Sequence, residues 1–98
     1  NGVLIASIVL DNKGNLISVP ILSEIGISKT EKMKNTLLEI SLKIEDCIEG
    51  LNEMETLDDD HLSDILKKII SKEIKNFFSI RPIINIHIST TRFNNIYA

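Results

Sequence analysis

The chain has 98 residues, 43% apolar and 26% charged, with a net charge of -3. That is one domain's length and an ordinary globular composition, and the charge balance demands neither a polyanionic nor a membrane partner. Aromatic content is 4% with no Trp, which leaves little for base-stacking surfaces, and the lone Cys47 has no partner for an internal disulfide, as fits a reducing, cytoplasmic setting.

Val3 to Leu10 is an apolar run with β-branched residues and no helix cap, so it reads as a buried strand over residues 2–10. No basic leader precedes it and no starting Met is present, so the expectation is a piece of a longer protein. Asp11-Asn12-Lys13-Gly14-Asn15 is a tight turn in which Gly14 takes positive φ. A second strand over 16–22 follows, with Pro20 placing it on a sheet edge because proline cannot donate to a ladder. The two strands are expected to form an antiparallel hairpin.

From Ser28 the period changes. Met33, Leu37, Ile40, Ile44, Cys47, Ile48 and Leu51 recur every three or four residues, the stripe of a helix over 29–50. Ser28 and Glu31 suit a capping box, Glu39 and Lys43 a surface pair, and Gly50 a left-handed cap with Leu51 folding back. A second helix over 58–78 carries Leu62, Ile65, Leu66, Ile69, Ile70, Ile74, Phe77 and Phe78 on one face. Asp58 is its cap, with Leu57 and Leu62 as a hydrophobic staple, and it must stop before Pro82. A third strand over 83–89 places Ile84, Ile86 and Ile88 on one face and Ile83, Asn85 and His87 on the other.

The order ββααβ predicts a two-layer α/β (α+β) fold. Two antiparallel helices cover one face of a three-stranded mixed sheet of order 2-1-3, with the last strand parallel to the first through a helical crossover. Residues 1–90 form a single domain and 91–98 a loose tail. The first strand is apolar on both sides, with Leu4, Ile8 and Leu10 facing one way and Val3, Ile5 and Val9 the other. A sheet open to water alternates more cleanly. Val3, Ile5 and Val9 are therefore the candidate partner interface, covered either by another subunit or domain, or by the tail with Phe93, Ile96 and Tyr97 as plugs.

Reactive constellations are scarce. Asp58-Asp59-Asp60-His61 has metal-ligand residue types, but consecutive helix residues point about 100° apart and cannot converge on one ion. Helix-start electrostatics accounts for the run. His87 has no carboxylate or hydroxyl partner in view, Cys47 falls on an apolar stripe as an inert core residue, and isolated glycines make no phosphate-cradling loop. No catalytic residue, metal ligand or cofactor is expected in these residues. The strands lack the aromatics of an RNA-recognition sheet, and no G-x-x-G loop is present. Lys68, Lys72, Lys75 and Arg81 remain as candidate nonspecific RNA contacts, against the plainer reading of a solvated helix face.

Gly2-Val3-Leu4-Ile5, the turn Leu10-Asp11-Asn12-Lys13-Gly14-Asn15-Leu16-Ile17-Ser18, Pro20, Gly26, two amphipathic helices, and Arg81-Pro82 leading into Ile83-Ile84-Asn85-Ile86-His87-Ile88 together resemble the C-terminal domain of bacterial ribonuclease J. The pair Phe77-Phe78 before Arg81-Pro82, with His87 in the last strand, resembles its alphaproteobacterial branch. The resemblance spans Gly2 to Ser89. It implies a parent zinc-dependent ribonuclease of the metallo-β-lactamase fold with a β-CASP insertion, acting as endonuclease and 5′-to-3′ exonuclease in RNA maturation and decay. Its H-x-H-x-D-H metal motif is not in this sequence, so no catalytic residue carries over, and the zinc is expected in the upstream catalytic domains. The domain would support self-association, as a homodimer or higher oligomer, and full activity. Its partners would be its own catalytic domains and, through them, RNA. The alternatives are an RNA-contacting module using the basic helix face and a free-standing interaction domain.

Overall fold

The computed structural model describes residues 2–27 and 29–91. The chain runs β1 (Val3–Asp11), β2 (Ile21–Ile25), α1 (Glu31–Glu49), α2 (Glu53–Thr56), α3 (Asp59–Phe77) and β3 (Ile83–Thr91). The sheet order is β2-β1-β3, antiparallel on the first side and parallel on the second, as the ββααβ pattern predicts.

Because side chains alternate across a strand, β1 divides its residues between two environments. Leu4, Ala6, Ile8 and Leu10 are wholly buried, packed in one cluster with Met33, Ile40, Ile44 and Ile48 of α1 and Leu62, Leu66, Ile70 and Ile74 of α3. Burying each large side chain contributes about 1.5–3 kcal/mol, so this layer is the main source of stability.

The turn after β1 forms as its residues dictate. The Asp11 carboxylate accepts the backbone N–H groups of Lys13 at 2.8 Å and Asn15 at 2.9 Å, and Gly14 sits at φ +82. Gly14 is buried against α2, where a Cβ would run into the Thr56 hydroxyl.

The second strand differs from the expected 16–22. Leu16 makes only an isolated bridge with Leu10, and the ladder lies at Ile21–Ile25. The register of that bridge would put Ser7 opposite Val19, yet Ser7 pairs with Ile21, so two residues are looped out. Proline supplies no ladder N–H. Pro20 is instead buried, and its carbonyl accepts the Ser41 hydroxyl of α1.

The helix ends also depart in detail. Ser28 lies outside the described residues, and the cap of α1 is Thr30, whose hydroxyl accepts the Met33 N–H at 3.1 Å. Gly50 is right-handed at φ -85, because the chain continues through a helical turn toward α2. Leu51 still packs against the core. The one-turn α2, unforeseen, is held by a reciprocal capping box between Asn52 and Glu55. Asp58 caps α3 as expected, accepting the His61 N–H at 3.1 Å. At the far end Lys32 of α1 donates to the Phe77 carbonyl at 2.9 Å and lies over the Phe78 ring, 4.8 Å from its centroid. Lys43 does not pair with Glu39. It reaches across to Glu73 of α3, a buried carboxylate.

β3 continues two residues beyond the expected 83–89: Thr90 pairs with Leu10, and Thr91 pairs with Asp11 rather than starting the tail. Phe93, Ile96 and Tyr97 lie outside the described residues. Among the described residues no helix is long and apolar enough to cross a membrane.

Candidate partner interface on the open sheet face

Both long helices pack on the Leu4 side of the sheet. The opposite face is built from cross-strand rows set by the register. Ile25, Val3 and Ile83 form one row, Ser23, Ile5 and Asn85 the next, and Ile21, Ser7 and His87 the third; Val9 follows beside Ser89. The β1 members are half-buried by their neighbours, whereas Ile21, Ile25 and Ile83 are 62%, 60% and 65% exposed. The apolar part is thus densest toward the N-terminal end of β1, and further along Ser7, His87, Ser89 and Thr91 interleave polar groups with Ile21 and Val9.

Val3, Ile5 and Val9 therefore share one face, clear of the two-helix layer, as the alternation predicted. Sequence reasoning missed the contribution of Ile21 and Ile25, because the register of β2 was displaced. It saw Ile83 on its own strand without joining it to Val3. A second exposed apolar strip adjoins this face at Ile21. Val19, Ile21, Leu37 and Leu38 line a groove of about 440 Å³ between β2 and α1, with Ile17 and Leu42 also exposed. Leu38 and Leu42 fall outside the apolar stripe of α1, one turn apart, and that spacing was the available signal.

The other singled-out residues are dispersed. His87 is exposed on the polar part of the open face. Cys47 is half-buried at the rim of the core rather than within it; burial, followed by the Glu55 carboxylate, pushes its thiol pKa up, which disfavours the nucleophilic thiolate. Asp58 is occupied as a helix cap, Asp59 and Asp60 occupy the first turn of α3, and the His61 ring lies 3.3 Å from Glu55. Glu45, Asp46 and Glu49 on α1 bring carboxylate oxygens within 4.8 Å of one another, with Asp46 and Glu49 exposed. Lys68 and Lys72 are exposed on α3, while Lys75 and Arg81 border a cleft between the end of α3 and the start of β3.

The fold and this face define a two-layer α+β domain in which one partly apolar sheet surface is left uncovered by the described residues. The sequence matches no protein-family model and no curated protein.

Proposed function

We propose that this chain is the non-catalytic C-terminal domain of a ribonuclease J-like enzyme and that it supports assembly through its open sheet face. The observation that carries the assembly role is the row Ile25–Val3–Ile83, with Ile5 beside it: large apolar side chains on the face away from the helices. Monomeric surfaces seldom leave such side chains grouped, and a sheet face offers the flat geometry that a second copy can match. The link to ribonuclease J draws on the ordered resemblance from Gly2 to Ser89, with which the sheet order and the two long helices agree. In this reading zinc and RNA cleavage belong to upstream catalytic domains in a cytoplasmic parent, and this domain presents itself to them and to its own copies.

Sedimentation of the 98-residue chain tests the assembly role. The wild type is expected to show concentration-dependent dimers at about 100 µM. The double variant Ile5→Ser, Ile25→Ser is expected to remain monomeric with unchanged circular dichroism. A wild type that stays monomeric, and dimerises only after removal of residues 92–98, would mean that the tail occupies the face. A wild type monomeric in both forms rules out self-association by this domain.

A further inference from the structure

We infer that the C-terminal half of α3 and the start of β3 form a seat for the phosphodiester backbone of a single nucleic-acid strand. From residue 45 to residue 64 the sequence carries Asp and Glu and no Lys or Arg. From 65 to 81 it carries Lys67, Lys68, Lys72, Lys75 and Arg81 against Glu73 alone. Glu73 is buried and neutralised by Lys43, so it does not offset its neighbours. Among the described residues, Lys68, Lys72, Lys75 and Arg81 are exposed and form no ion pair. A net charge of -3 thus conceals two opposed poles.

Helix-dipole complementarity does not account for the basic pole. That effect fades beyond the last turn, where only Lys75 lies, and the carbonyl of Phe77 already receives Lys32. The cleft explains more. Ser71, Lys75 and Arg81 border a hollow of about 330 Å³ floored by Ile74, Ile80 and Ile84. A hydroxyl, an ammonium and a guanidinium fork form the donor set that phosphate oxygens accept. From this seat Lys72 and Lys68 continue along the helix, about 10 Å from first to last by the rise of 1.5 Å per residue. A row suits a chain of phosphates, where a single small anion needs convergence on one point. Among the described residues no aromatic lines the cleft, so the contact reads backbone and not base. The open sheet face takes no part in it.

Fluorescence anisotropy of a labelled oligouridylate, titrated with the chain across a potassium chloride series, tests this seat. Binding with a Kd of about 10⁻⁴–10⁻⁶ M is expected, with a log–log salt slope near -2.8 for four contacts at -0.7 each. Lys75→Glu with Arg81→Glu should weaken it at least about tenfold and halve the slope, and Lys75→Gln with Arg81→Gln should do so more mildly. Lys13→Glu with Lys34→Glu, the same change in net charge placed elsewhere, should move it less than about twofold. Equal loss in that control, or no binding by the wild type at low salt, overturns the seat. Displacement by polyglutamate as effective as by unlabelled oligouridylate overturns the phosphodiester assignment.

Discussion

β1 offers an internal comparison, because residues an odd number of positions apart on the same backbone meet opposite fates. Ile8 is wholly buried beneath the helices, while Ile5 is half-exposed on the other face. Their chemistry is the same, so hydrophobicity alone does not report how much a residue stabilises the monomer. What decides is whether the chain supplies a second layer on that side. The comparison is broken most directly by truncation. Ile8→Ala is expected to cost 2–5 kcal/mol, about the usual range for a buried aliphatic, whereas Ile5→Ala should cost about 1 kcal/mol or less, measured by urea unfolding of dilute protein. Equal losses would show that the open face is covered within the chain.

The ion pair on the helix side sharpens the same lesson with charge in place of grease. Glu73 is 8% exposed in its side chain and Lys43 53%, so the two partners are not equivalent. Lys43→Met leaves a buried carboxylate without its partner and is expected to lower stability by about 1–2 kcal/mol, discounted for the solvent that reaches the lysine. Glu73→Gln leaves an exposed ammonium and should cost less than Lys43→Met in the same unfolding measurement.

The smallest effect is expected at Asp11. Its pKa lies below the ordinary 3.8 because the Asn15 and then the Lys13 backbone N–H groups bond the carboxylate. A carboxyl held lower in the folded state contributes stability that is complete above 3.8 and disappears as pH falls through the folded value. Thermal unfolding between neutral and strongly acid pH should therefore show a slightly shallower acid-side decline in Asp11→Asn than in the wild type.

Much of the architecture was legible because it rests on local periodicity. The stripe from Met33 to Ile48, the stripe from Leu62 to Ile74, the alternation in β3 and the Asp58 cap each follow from residues within a few positions of one another. The errors cluster where distant partners decide. The position of β2 depends on two looped-out residues and on the bond from Ser41 to Pro20, across 21 positions. The partner of Lys43 lies 30 positions away rather than on its own helix. The candidate interface divided in the same way: Val3, Ile5 and Val9 follow from the pleat of one strand, but the rows they join required the true register on both sides.

The central ladder has a bearing on the order in which this domain takes shape. Val3 lies opposite Ile83 and Asp11 opposite Thr91, a constant offset of 80 positions, while the antiparallel ladder joins only Val3–Ser7 to Ile21–Ile25. During synthesis the opening strand must therefore wait, with one short companion, for a mate that emerges from the ribosome long afterwards. Consolidation is correspondingly late and slow, and a nascent chain halted before residue 83 exposes an unzipped, sticky edge that a chaperone would recognise.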